Sequence, residues 1–151
     1  MSVGGRRKAR ELVLQACYAH ELSGNSVDQV LEPNVLSGPD NASTKKFATL
    51  LFTKTVAEQE NFDAMIKVWA ANWEFDRIAI IDKILLRMAI CEFLYFEDIP
   101  PKVSIDEAIE IAKLYSTENS GRFVNGILDA ILNDLEKKGS VQKKGRGLDN
   151  G

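Results

Sequence analysis

The segment Ile78–Phe96 constrains the fold more than any other part of the chain. Apolar side chains occupy nearly every face of it, and only Asp82, Lys83, Arg87 and Glu92 carry charge. A helix that is apolar all round belongs in the middle of a domain, wrapped by other helices, so this stretch predicts a buried spine. Its charges come too often for a membrane span, which needs roughly 18 apolar residues in a row. Each of the four must find water or a partner. They therefore mark either where the spine reaches the surface or where a protein partner meets it.

The rest of the chain follows helical spacing, and no sustained strand-type alternation competes with it. A first helix, about Arg6–Leu22, carries an apolar stripe of Ala9, Leu12, Val13, Ala16, Cys17 and His20. A short second one near Ser26–Leu36 has Ser26 as its N-cap. Pro33, Gly38, Pro39, Asp40 and Asn41 then break the chain. Two helices follow, about Thr44–Gln59 and Phe62–Asn72, with Phe47, Leu50, Leu51, Val56, Met65, Ile66 and Trp69 as core candidates. Pro100 and Pro101 end the spine. Ser104-Ile105-Asp106-Glu107 reads as a capping box, so a helix should start at Ile105 and bury Ala108, Ile109, Ala112 and Tyr115. A last helix, about Gly121–Lys138, should bury Val124, Ile127, Leu128, Ile131, Leu132 and Leu135. The expectation is an all-α fold of about seven helices, a single domain over 1–138, and a disordered basic tail at 139–151 with little to bury.

Charge is distributed unevenly. Residues 1–10 carry Arg6, Arg7, Lys8 and Arg10 with no acid, and residues 137–151 carry five cations against Asp149. With a net charge of −3, each end holds +4 and the body −11. An acidic body with two basic ends attracts polyanions at chosen places and repels them elsewhere, although solvated ends would look the same. Cys17 and Cys91 are far apart and lie in apolar patterns, which suits buried thiols, so neither a metal site nor a disulfide is expected. The polar Glu11, Gln15, His20 and Glu21 rule out the apolar centre of a secretory signal, which leaves the cytoplasm and no membrane association.

Two groups of residues suggest chemistry. On a helical wheel, Arg7, Leu14 and Tyr18 share the outward face of the first helix, with Arg6 and Arg10 on one flank and Gln15 nearby. Arginines that pair with phosphates beside an exposed ring that stacks on an unpaired base suit single-stranded RNA. The alternative is that Tyr18 packs against another helix. The second group, Ser120-Gly121-Arg122-Phe123-Val124-Asn125-Gly126, opens the last helix, where free amides and Arg122 favour a phosphate. Phe123 suits base stacking and core burial equally. Gly126 costs roughly 1 kcal/mol inside a helix, which argues for another helix packed against it or a ligand close by. Catalysis finds no support: His20 sits on the apolar stripe as a core histidine, and no phosphate loop, nucleophile elbow or cofactor motif appears.

Arg6-Arg7-Lys8-Ala9-Arg10-Glu11, Gln15-Ala16 and Tyr18 resemble the opening helix of the NusB family of transcription antitermination factors. Asp82-Lys83, Leu86-Arg87, Glu92, Val103, Ile105 to Glu110, Ala112-Lys113 and Phe123 to Asp129 resemble that family's second half. The resemblance covers about 6–135 and is weakest between Ser23 and Asn61. It implies two antiparallel helical subdomains, about 1–72 and 73–138. It also implies binding of boxA-type single-stranded RNA together with a small-subunit ribosomal protein that doubles as an elongation factor (NusE type). Within an RNA polymerase antitermination complex this promotes read-through, notably in ribosomal RNA operons. Carried over by position, Arg6, Arg7, Arg10, Gln15 and Tyr18 would contact RNA, Arg122 and Phe123 would form a second RNA edge, and Asp82, Lys83 and Glu92 would face the protein partner. The resemblance leaves both a monomer and a homodimer open for the free chain. NusB-like domains also precede RNA methyltransferases, but this chain has no length for their α/β module. A helical protein-binding adaptor that does not touch RNA is the rival from another class.

Overall fold

The computed structural model describes residues 3–38, 41–70 and 75–143. Among these, seven α-helices and two short helical turns account for the regular structure, with no strand. The chain divides into two compact units, 1–58 and 59–151.

In the first unit, α1 (Val3–Ser23) packs on α2 (Val27–Leu31), on a π-helical turn (Glu32–Leu36) and on α3 (Ala42–Ala57). The expected second helix is thus split. Ser26 caps it, accepting from the Gln29 amide while the Gln29 side chain accepts from the Ser26 amide. Pro33 has no N–H, and the chain widens past it so that the Ser37 amide donates to Glu32 O at 3.1 Å. Asn41 caps α3 through the Thr44 amide. Ala9, Val13, Ala16, Phe47, Ala48, Leu51 and Phe52 form the core of this unit.

The second unit contains α4 (Gln59–Trp69), a 3₁₀ turn (Phe75–Arg77), α5 (Ile80–Tyr95), α6 (Pro101–Tyr115) and α7 (Glu118–Lys137). Because α4 packs on α5 and α7, it belongs here, and the boundary lies at 58/59 rather than near 72/73. The spine is buried as the sequence requires, from Ile84 through Phe93, with α4, α6 and α7 around it.

The charges on the spine correct the sequence reading. Asp82, Arg87 and Glu92 are buried and Lys83 is half-buried, so they do not mark a water-facing edge. Arg87, Glu92 and Lys83 each have a partner within this unit. Arg87 donates from Nε to Asp63 Oδ1 at 2.7 Å and from Nη2 to Asp63 Oδ2 at 3.1 Å. Glu92 Oε1 accepts from the Ser104 hydroxyl at 2.7 Å. Lys83 Nζ lies 4.4 Å from the centroid of the Phe75 ring.

The Ser104 contact explains a second correction: α6 begins at Pro101, a turn before the expected capping box. Proline is well suited to the first helical position, where its missing N–H would be unpaired anyway. That leaves the Ser104 hydroxyl for Glu92. Likewise α7 begins at Glu118 rather than Gly121, because the Thr117 side chain accepts from the Ser120 amide. Leu50, Trp69 and Tyr115, expected in the core, are exposed. The start of the expected loose tail is docked: Lys143 Nζ donates to Glu92 O at 2.8 Å and Phe96 O at 2.7 Å, capping the carbonyl end of α5. Residues 144–151 of that tail lie outside the described residues.

Candidate nucleic-acid interface

In the first unit, the apolar residues at i, i+3 and i+4 turn one side of α1 inward and leave the complementary stripe outside. Lys8, Gln15, Tyr18 and Leu22 are exposed on that stripe, with half-buried Glu11 between them. Tyr18 has 39% of its surface in water, enough to offer a ring face. Arg7, three turns from Tyr18, is half-buried at the margin of the stripe.

Two expectations on this helix need correction. Leu14 is buried (1% exposed), so the buried arc of α1 is wider than its apolar stripe and the outward face is rotated from Leu14 toward Gln15. Arg10 is also buried (4% exposed), and its Cζ lies 5.3 Å from the centroid of the Phe47 ring. Arg6 is half-buried over the same ring at 4.6 Å. Lys8 is the exposed cation that the wheel overlooked, and its signal was plain spacing: 8, 11, 15, 18 and 22 form the complement of the apolar stripe. His20 is half-buried, its Nδ1 2.8 Å from Asn25 O and its ring edge-on to Phe52.

In the second unit, Ile78, Ala79, Asp82, Thr117, Asn119, Ser120 and Phe123 line a cavity of about 360 Å³. It brings Asp82 and Phe123 together but not Glu92, which lies ten residues along α5, about 15 Å away at 1.5 Å per residue. Glu92 is buried and held by Ser104 at the opposite end of the helix. Arg122 is exposed and Phe123 half-buried, both in the second turn of α7. The first-turn amides are less available than the sequence suggested, since Ser120 N donates to Thr117 Oγ1 and Gly121 N to Thr117 O. Gly126 faces open space, so no helix packed against it requires glycine there. At Gly121 a Cβ would come 3.5 Å from Ile109 Cγ2 on α6, an ordinary van der Waals contact.

At the floor of this cavity Asp82 is 6% exposed, and among the described residues its Oδ1 has no hydrogen-bond partner. Ser120 bonds to the carboxylate, and its hydroxyl lies 2.7 Å from that of Ser116 in a second hydrogen bond. Burial pushes the Asp82 carboxyl above its ordinary 3.8, and the Ser120 bond only partly opposes this. The folded state therefore holds this proton more tightly than the unfolded chain. Stability is lost as pH rises through the raised value, and nothing is lost below the ordinary one, where both states are protonated. Asp82→Asn should stabilise the protein at pH 7 by about 1 kcal/mol, the scale of a buried polar group lacking a partner. The gain should vanish below about pH 3.8. Urea titrations at pH 7 and pH 3.5 measure both, and a variant no more stable than the parent at pH 7 contradicts the burial argument.

Among the described residues no three His, Cys, Asp or Glu side chains gather as a metal site requires, and no helix is long and apolar enough to cross a membrane. Both cysteines are buried thiols.

The model of the NusB family matches residues 7–133. A transcription antitermination protein NusB from Salinibacter ruber is 51% identical over 147 residues, covering 97% of this chain and 92% of the relative. One from Chloroherpeton thalassium is 46% identical, covering 95% of this chain and 68% of the relative. Among solved structures, T. maritima NusB is 38% identical with a TM-score of 0.79, covering 85% of this chain and 91% of that one. A chain from the complex of the antitermination factors NusB and NusE with double-stranded RNA shares the fold at a TM-score of 0.78. It is 23% identical and covers 88% of this chain and 99% of that one. With a family match over nearly its whole helical body and relatives this similar along their lengths, the chain belongs to the NusB family.

Proposed function

We infer that this protein is a cytoplasmic transcription antitermination factor that acts by binding rather than catalysis. It holds boxA-type single-stranded RNA together with a small-subunit ribosomal protein of the NusE type. The assembly promotes read-through by RNA polymerase, notably in ribosomal RNA operons. Family membership supports this reading. The observation that carries the RNA part is the exposed stripe of α1, on which the ring of Tyr18 lies beside Gln15 and in line with Lys8, with Arg7 at its margin.

The chemistry suits single strands. An unpaired base stacks on an aromatic ring, while arginine and lysine engage the backbone phosphates. Arg122 and Phe123 offer a second RNA edge on α7, again a cation next to a ring. Asp82, Lys83 and Glu92 were the partner-facing candidates. The burial of Asp82 and Glu92 leaves the rim of the Asp82 cavity and the half-buried Lys83 as the accessible part of that surface.

The test is a titration of boxA-type single-stranded RNA at moderate salt, with and without the ribosomal protein. Binding by the protein alone, tightened by the ribosomal protein, is expected. A chain that bound the ribosomal protein but left RNA untouched under both conditions would be an adaptor, and the RNA reading would be lost.

A further inference from the structure

Arg6 and Arg10 stand four residues apart on α1, which places them on one flank a turn apart, where like charges repel. Both nevertheless converge on one ring, with Cζ 4.6 Å and 5.3 Å from the centroid of Phe47 on α3. The negative potential over the face of an aromatic ring attracts guanidinium groups at such distances and offsets part of that repulsion. Phe47 and Arg10 are buried, whereas Arg6 is half-buried and reaches the surface.

We propose that Phe47 is a positioning residue for RNA: its ring, shared with the buried Arg10, holds the Arg6 guanidinium in place to receive a phosphate of the strand that lies along α1. An arginine has much rotamer freedom to lose when it binds, and a guanidinium already held loses less of it. A guanidinium stacked on a ring uses its face, while phosphate is bound by N–H donors along its edge, so in that arrangement the two contacts do not compete. A residue in the α3 core thereby sets the affinity for a strand it does not touch. The inference rests on the RNA-binding role of α1.

The experiment is an RNA titration of the full chain with Phe47→Leu, with Phe47→Trp, and with trifluorophenylalanine at position 47. Fluorination keeps the ring shape and its burial but drains negative potential from its face. Phe47→Leu and the fluorinated ring should each weaken binding of boxA-type RNA about fivefold, and Phe47→Trp should retain it. In a double-mutant cycle, the Phe47→Leu penalty should disappear when Arg6 is already alanine. A purely structural role would lower the melting temperature of Phe47→Leu and leave RNA affinity insensitive to fluorination. If Phe47→Leu fails to fold, the fluorinated protein decides. Fluorinated and parent proteins binding equally, or penalties that add to Arg6→Ala, overturn the inference. A parent that binds no RNA would remove the proposed function as well, so the two failures are distinguishable.

Discussion

Replacing Asp63 with alanine is expected to destabilise the second unit by about 3–5 kcal/mol, the range for breaking a buried ion pair from one side. Asp63 receives two donors from Arg87 at 2.7 Å and 3.1 Å, a fork-to-fork pairing in which the arginine side chain is 4% exposed and the carboxylate 16%. Removing the carboxylate leaves a guanidinium that cannot shed its charge and has little water to turn to. Arg87→Met should cost less, because the Asp63 that it strands is nearer to solvent. Replacing both, as Asp63→Leu with Arg87→Met, should fall close to the parent, since well-packed apolar groups often replace a buried pair without net loss. Urea unfolding followed by helicity at 222 nm gives all three values. If Asp63→Ala lost less than about 1 kcal/mol, the ordering of α4 on the spine would have to come from apolar packing alone.

The same pair marks where sequence reasoning stopped. Periodicity located the spine and most of the helices around it, because each is a property of one segment and needs no knowledge of its neighbours. Asp63 and Arg87 are separated by 24 positions, as Ser104 and Glu92 are by 12, so nothing local announces that these polar groups satisfy each other inside the protein. Without partners in view, Asp82, Arg87 and Glu92 had to be read as facing water or a protein partner. Leu50, Trp69 and Tyr115 failed in the opposite sense: apolar residues at helical spacing are core candidates, but only the arrangement of neighbouring helices decides which of them are covered. Caps were misplaced for a related reason. Ser104 has the sequence of a capping box, yet Pro101 can open the helix earlier and Glu92 claims the hydroxyl.

At the α1 surface the wheel gave the direction of Tyr18 and misjudged its neighbours. It fixes angles within one helix but says nothing about how wide an arc the rest of the unit covers. Leu14 therefore fell inside, Lys8 went unnoticed, and Arg10 turned out to serve the Phe47 ring rather than water. The Arg-rich start of the chain is thus two things at once. Lys8 and Arg7 lie at or near the solvent face, while Arg10 is part of the packing between α1 and α3. The alanine variants that probe RNA binding must respect that division, because truncating Arg10 disturbs the core.

Arg7→Ala together with Tyr18→Ala is expected to weaken boxA-type RNA binding by roughly 30- to 700-fold. Loss of a stacked base is worth about 1–3 kcal/mol and loss of a phosphate contact about 1 kcal/mol, at 1.4 kcal/mol per tenfold. The two parts separate experimentally. Tyr18→Phe keeps the ring face and should stay within about twofold of the parent, so a large loss there would mean the hydroxyl rather than stacking carries the contact. Arg7→Ala should lower the slope of log affinity against log salt by about 0.7, the value for one phosphate of a single strand, whereas Tyr18→Ala should leave that slope unchanged. Tyr18 is exposed and Arg7 half-buried on α1, so helicity and binding of the ribosomal protein should persist in both variants. A double variant that kept its fold and still bound RNA as tightly as the parent would show that the strand does not run along the Lys8–Tyr18 face. RNA contact would then fall to the Arg122 and Phe123 edge of α7, which Phe123→Ala would test in the same titration.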